Sequence, residues 1–299
     1  MSVMPPSRCL ALAMAAALSA TACAKSATAE KGEKEAAMSE NSAESRTLDG
    51  YTYTTKPVEA RIGPHRFAFP ANYYDDQIGP AVGGGVGLTL MWPSLQAAPP
   101  GTRPTRSMAD HYRAISVSID YVDKVPISGL LQRMASNEAT TVDGAIERTD
   151  PRRRLDLRTP GTPQFGLIPY AIDETKMEAY AEVYSTQRGE APARNPRTEK
   201  EWYVARSGDD ELTTFIRCDQ PLNGLNGLVI EGELLVPDDA PEVASCTHNV
   251  VDIPDSLAMT IRYPRVLLKD WKAIEDAVRA MMARYRLRIV GTVGFASVS

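Results

Sequence analysis

From Tyr51 onward the chain alternates between apolar and polar positions. Arg66-Phe67-Ala68-Phe69 before Pro70, Val86 to Trp92 before Pro93, and Ile115-Ser116-Val117-Ser118-Ile119-Asp120-Tyr121 repeat with the period of a half-buried strand. Tyr180–Tyr184, Glu201–Arg206, Leu212–Arg217 and Leu257–Tyr263 read the same way. Alternation of this kind predicts antiparallel sheet with one wet face, because strands of a parallel core are apolar on both sides. Two stretches keep a helical period instead. Ile127, Leu130, Leu131 and Met134 follow i, i+3, i+4, i+7, and Leu267, Trp271, Ile274, Val278, Met281 and Tyr285 form a longer stripe. Lys269, Lys272, Glu275, Asp276 and Arg279 fall on the side opposite that stripe. The pattern therefore predicts an α+β fold, antiparallel sheet with packed helices. Ser118-Ile119-Asp120-Tyr121 before the first helix and Thr260-Ile261-Arg262-Tyr263 before the second are compatible with two related sheet-plus-helix halves, 51–150 and 165–290, or with one continuous sheet.

This pattern stops upstream of the globular region 51–299. All 3 Trp, 12 Tyr and 5 Phe lie at or beyond Tyr51. Residues 1–22 carry one early charge, Arg8, an apolar stretch from Leu10 to Leu18, and small residues before Cys23. That is the plan of a secretory signal, and its apolar run is far below the about 20 residues a spanning helix needs. Ala20-Thr21-Ala22 directly before Cys23 resembles a bacterial lipobox, with Ala20 where leucine is usual. The resemblance implies cleavage before Cys23 and acyl chains such as palmitate on it, an anchor stable in a bilayer. Ala24 stands where an inner-membrane retention signal would carry aspartate, which implies outer-membrane sorting and a periplasmic location. Ordinary cleavage after Ala22 or Ala29 would instead release a soluble secreted protein. From Cys23 to residue 50 the chain is rich in Ala, Glu, Lys and Ser and cannot bury enough surface to offset its ordering entropy. It reads as a disordered tether of about 30 Å root-mean-square span.

Cysteine usage fits export. Cys9 leaves with the signal and Cys23 is the lipidation site, so Cys218 and Cys246 remain as a pair in a compartment that favours disulfides. A metal or redox pair is the alternative, but there is no CxxC, and His248 with two cysteines makes an incomplete zinc shell. No metal ligand set and no cofactor site is expected.

Composition narrows the function classes. The 299 residues, 43% of them hydrophobic, suffice for one large or two smaller domains. A net charge of -5 without a dominant basic run argues against a nucleic-acid partner. Chemistry is hard to find. HExxH, GxSxG, SxxK and P-loop patterns are absent. Gly83-Gly84-Gly85-Val86-Gly87 runs into a strand, where a phosphate loop would open a helix, and so reads as a turn or bulge. His65 or His111 could act as a base, but neither is tied to a nucleophile. Asp75-Asp76, Asp209-Asp210 and Asp238-Asp239 could serve a glycosidase or bind calcium, yet adjacent acids in polar loops are ordinarily solvated. Arg152-Arg153-Arg154 with Arg158 could steer an acidic partner, although Asp150 and Asp156 offset it. Three long loops, Gly79–Gly87, 97–107 and 186–200, are the best surfaces for a partner.

The lipobox, the tether, the segments Phe67-Ala68-Phe69-Pro70-Ala71-Asn72-Tyr73 and Leu90-Met91-Trp92-Pro93, the Cys218/Cys246 pair and the closing helix around Trp271 together resemble lipoprotein immunity proteins that accompany antibacterial effectors of type VI and related type IV secretion systems. The resemblance implies a non-enzymatic protein, anchored through its lipid, whose partner is a secreted antibacterial effector. An envelope hydrolase, or a passive subunit of an envelope assembly machine, is the alternative.

Overall fold

The computed structural model describes residues 44–76, 79–80, 84–195 and 199–287. The signal, Cys23 and most of the tether lie outside the described residues. The strands are β1 (Ser45–Leu48), β2 (Tyr51–Thr54), β3 (Pro57–Ile62), β4 (His65–Pro70), β5 (Val86–Met91), β6 (Ala114–Tyr121), β7 (Arg158–Pro160), β8 (Ile168–Ile172), β9 (Glu201–Arg206), β10 (Leu212–Cys218), β11 (Leu228–Glu231), β12 (Leu234–Pro237), β13 (Ser245–Asp252) and β14 (Leu257–Pro264). The α-helices are α1 (Met108–Arg113), α2 (Leu130–Met134), α3 (Glu174–Arg188) and α4 (Trp271–Tyr285).

Eight strands form one sheet in the order β5-β6-β14-β13-β10-β9-β8-β7, with antiparallel neighbours throughout. Strands from both sequence halves meet where β6 pairs with β14, Ile119 opposite Met259 and Val117 opposite Ile261. The expected α+β class is what the chain adopts.

The alternation now has a physical meaning. Leu88, Ile115, Val117, Ile119, Ile216 and Ile261 point to one face, which α4 and the β3–β4 hairpin cover with Ile62, Phe67, Phe69, Ile274 and Val278. On the opposite face, Trp202, Val204 and Phe215 pack under Leu131 of α2, Ala135 and Leu155. The β6–β14 part of that second face stays bare, with Ser116, Ser118 and Arg262 exposed. This is the wet face the pattern predicts.

Helix α4 carries a charge into the core. Glu275 is only 6% exposed, so its assignment to the polar side of the stripe is corrected. One carboxylate oxygen accepts from Thr214 Oγ1 of β10 at 3.0 Å and from His248 Nε2 of β13 at 3.2 Å; the other accepts from Arg279 Nε at 2.9 Å. His248 is fully buried, and its Nδ1 faces the Tyr263 hydroxyl at 3.4 Å. Burial raises the Tyr263 hydroxyl's pKa, so it stays protonated and donates. Burial also holds the His248 ring below its ordinary value, which leaves it neutral, with Nε2 donating to Glu275. Burial opposes ionisation of Glu275, but the hydrogen bonds from His248 and Arg279 outweigh it and bring its pKa down to about 2.

The ends of α4 are fixed by the two segments noted in the sequence. Trp92, just after β5, donates its indole Nε1–H to Asp270 at 3.1 Å, beside the first residue of the helix. At the other end Phe69 and Tyr73 pack edge-on against Tyr285, with ring centroids 5.8 and 5.5 Å apart. Cys218 and Cys246 are directly opposed across β10 and β13 and are joined by a disulfide.

Other expectations are corrected. Tyr180–Tyr184 lies inside α3 and is not a strand. Its two tyrosines are four residues apart, so they meet on one helical face with tilted rings, centroids 5.6 Å apart. Asp173 caps the N-terminus by accepting from Lys176 N–H at 3.1 Å. The first helical stretch is only a 3₁₀ turn, Ile127–Gly129, running into short α2. The fold also takes in part of the expected tether. Asp49 and Gly50, both at positive φ (50° and 82°), turn β1 back onto β2 so that Leu48 faces Tyr51, the two-residue hairpin that Asp-Gly favours.

Two outcomes follow for stability. Replacing Cys218 and Cys246 together by Ala removes a link between residues 28 apart and lowers unfolding free energy by about 3–4 kcal/mol, read from urea midpoints with and without reductant. Unfolding free energy is also pH-dependent. His248 and Glu275 both have lowered folded-state values, so their contributions are complete above pH 6.5 and decline below it. The unfolded chain then takes up a proton that the buried ring refuses, and a second decline sets in from pH 4.5 toward 2 as Glu275 is protonated. Glu275→Gln removes that second decline and costs about 3 kcal/mol at neutral pH, since Arg279 and its neighbours lose a buried counter-charge.

Candidate functional site

Two of the three loops singled out in the sequence meet at one place. A cleft of about 350 Å³ lies between the β1–β2 hairpin and the loop from Ala98 to Arg106, with Ala71, Asn72, Tyr74, Asp76 and Gly79 as its floor and Thr89 of β5 at its side. The 3₁₀ turn Ala71–Tyr73 follows β4 directly, so the floor is held by the hairpin that covers the core. Asn72 Nδ2 donates to the Ala98 carbonyl at 2.8 Å and ties that turn to the loop. Tyr73 donates to Gln96 Oε1 at 3.1 Å and Tyr74 to the Val58 carbonyl at 2.8 Å. Tyr74 also bridges to Leu88 alongside β5.

At Gly101 (φ 71°) the loop crosses the hairpin so closely that a Cβ would stand 3.2 Å from both Arg46 Cδ and Tyr53 Cδ2. The left-handed backbone and the close approach both call for glycine.

The chemistry of the cleft is aromatic and basic. Tyr51 is 70% exposed on the hairpin tip, and Tyr53 and Tyr74 line the interior. Arg103 and Arg106 stand on the loop wall. Burial, and then the charge of Arg103, hold the Arg106 guanidinium below its ordinary value. Asp76, the acid among the described lining residues, accepts from Gly79 N–H at 2.8 Å.

The residues weighed for catalysis are dispersed. His65 donates through Nε2 to the Asp255 carbonyl at 2.8 Å and accepts at Nδ1 from Arg286 at 3.0 Å. His111 is exposed on α1, and His248 is closed beneath α4. Asp238 accepts from Gly227 and Ala240 N–H, and Asp210 sits in a turn at φ 64°. The acid pairs thus shape loops. Gly83 lies outside the described residues. A Cβ on Gly85 would strike Asp120 and one on Gly87 would strike Asp75, at 2.1 and 2.2 Å, so these glycines admit neighbouring side chains. Among the described residues no group of three or more His, Cys, Asp and Glu is placed to hold a metal.

Apart from Arg153, which stays exposed, the arginine cluster is neither a steering patch nor a solvated loop. Arg158 is 4% exposed, lies 4.0 Å over the Trp202 ring, and donates to the carbonyls of Pro151, Arg152, Tyr170 and Lys200. Burial brings its pKa down to about 10. Arg152 grips buried Asp150 through two bonds of 2.8 and 2.9 Å, and Arg154 bridges Asp156 and Glu138. These cations hold irregular backbone together. The third loop, 186–200, is described except at 196–198; in it Arg194 pairs with Glu174 of α3 and with Glu199.

Sequence patterns did not reveal the hairpin as a wall of the cleft. Asp49-Gly50 between Thr47-Leu48 and Tyr51-Thr52 was the available signal.

No protein-family model matches the chain, and no curated protein matches it. Among solved structures, it is similar to Smlt3025, an immunity protein of the Stenotrophomonas maltophilia type IV secretion system, with 44% identity and a TM-score of 0.75 over 81% of this chain and 98% of that one. Identity at this level across nearly the whole of the other chain extends beyond a shared fold. This chain belongs to the same family of type IV secretion system immunity proteins.

Proposed function

We propose that this chain neutralises a secreted antibacterial effector by stoichiometric binding, with no chemistry of its own, from the periplasmic side of the outer membrane. The observation that carries the reading is the 44% identity with an immunity protein over 98% of its length. The state of the ionisable groups supports a binder over an envelope hydrolase. A general acid in a hydrolase needs a raised pKa and access to substrate. Glu275, the most perturbed acid, is shifted the other way and is buried under α4. His65 is held by the Asp255 carbonyl and Arg286, and His248 by Glu275, in structural hydrogen bonds. A cleft walled by loops and a hairpin is the kind of surface through which rigid scaffolds bind partners. A passive subunit of an assembly machine has no comparable support.

Attachment rests on Cys23. Among the described residues no helix is long and apolar enough to cross a membrane, and in this reading acyl chains on Cys23 hold the domain at the outer membrane.

Expressed with candidate effectors from adjoining genes, the chain co-purifies with one of them as a 1:1 complex and protects the cells that carry it. Survival no better than with an empty vector, for every such effector, contradicts the reading. Mass spectrometry of protein from the native host shows an acylated N-terminal Cys23, and Cys23→Ser shifts the protein from the membrane to the soluble fraction. An intact start at Met1 contradicts the anchor.

A further inference from the structure

Resting on the reading that the chain binds an effector, we propose that the cleft between the β1–β2 hairpin and the 98–106 loop is the gripping site, and that it takes an acidic segment. A carboxylate of the effector sits between Arg103 and Arg106, and an adjoining aromatic or aliphatic side chain rests on Tyr51.

Charge is the first reason. Elsewhere in the molecule many arginines hold carboxylates, Arg152 with Asp150, Arg194 with Glu174 and Glu199, Arg279 with Glu275, Arg286 with Asp255, while buried Arg158 and half-buried Arg217 lie over the Trp202 and Phe215 rings. Arg103 and Arg106 line a concave site, and neither takes part in an ion pair or side-chain hydrogen bond with another described residue. The nearest helical acid, Asp110, attracts Arg106 through space, but its oxygens are bonded by Ser107 Oγ at 2.7 Å and approached by Arg113 at 3.9 Å. Asp76 is occupied by Gly79 N–H. Two like charges therefore stand in one wall, Arg103 exposed and Arg106 half-buried. Their mutual repulsion and the burial of Arg106 are costs in the free protein that an arriving anion relieves. In a chain whose net charge is -5, a cleft lined by two arginines and the single acid Asp76 among its described residues is a local reversal of sign, the arrangement that selects an acidic partner and rejects a basic one.

Shape and aromatic content are the second reason. The volume, about 350 Å³, falls in the range of sites that enclose a few side chains. Tyrosine and arginine dominate the energetics of protein interfaces, because a rigid ring offers large area at little entropic cost and a guanidinium forks onto a carboxylate. Tyr51 is displayed beside a two-residue hairpin turn, and at Gly101 the loop comes close to Arg46 and Tyr53 of that hairpin, so the two walls stand near enough to grip one segment.

The test uses the full chain, with thermal unfolding to verify that each surface variant is folded. Calorimetry measures two probes: the effector that co-purifies with the chain, and a capped Glu-Trp-Asp-Glu peptide beside its Gln-Trp-Asn-Gln counterpart. Arg103→Ala combined with Arg106→Ala weakens effector binding by about thirtyfold or more, Tyr51→Ala by about tenfold, and Arg262→Ala on the bare face leaves it unchanged. The acidic peptide binds the wild type and not the double variant, and the neutral peptide binds neither. The proposal is overturned if the double variant holds the effector as tightly as the wild type, or if the neutral peptide binds equally. It is overturned as well if vesicles containing anionic phospholipid bind in an Arg103- and Arg106-dependent way while effector affinity is unmoved. A chain that takes the acidic peptide but no effector overturns the functional reading and leaves the chemistry of the cleft standing.

Discussion

A carboxylate on the inward face of a helix destabilises a fold unless its oxygens are filled, and the oxygens of Glu275 are filled from three directions. Thr214 and His248 reach it from β10 and β13, and Arg279 from the next turn of α4. The result fixes both the rotation and the height of α4 over the sheet, since an apolar stripe alone could slide where directed hydrogen bonds cannot. The ends of the helix then determine the rest. Trp92 meets Asp270 at one end, and Tyr285 meets Phe69 and Tyr73 at the other. Phe69 and Tyr73 belong to the segment whose next residue, Tyr74, together with Ala71 and Asn72, floors the cleft. A buried ion pair in the core is thus connected through packed side chains to the surface proposed for recognition.

That connection separates the two kinds of arginine in the molecule. Those at Arg152, Arg154 and Arg158 resemble a basic patch in sequence but are consumed in holding loops, either by acids or by backbone carbonyls. Those at Arg103 and Arg106 are unremarkable in sequence and stand in a cleft wall. Spatial pairing, which a linear charge count cannot see, decides which cations are available to a partner.

Much of the fold was legible because burial imposes a period. The α4 stripe, and the alternation in β5, β6, β9, β10 and β14, follow directly from one face meeting the core. Glu275 was not legible. Side-chain character placed it with the solvent-facing residues, while the groups that make its burial tolerable, Thr214 and His248, are 61 and 27 residues away. Strand β13 was obscured for the same reason, since its His248 and Asn249 are polar yet buried. Tyr180–Tyr184 misled because a tyrosine pair at i, i+4 also satisfies a period of two. Of the site, the loops were visible as long and proline-rich. The hairpin facing them lies at the tether boundary, where the polar residues before Tyr51 mask the Asp49-Gly50 turn.

In the proposed function, protection is achieved by occupancy and not by catalysis. Titrating this chain into its effector, while following the effector's own activity, tests that most directly. Occupancy gives a linear fall to zero at one equivalent, with no dependence on preincubation time once binding is complete. Complete inactivation at a small fraction of an equivalent, deepening with time, would contradict it and reveal an enzyme.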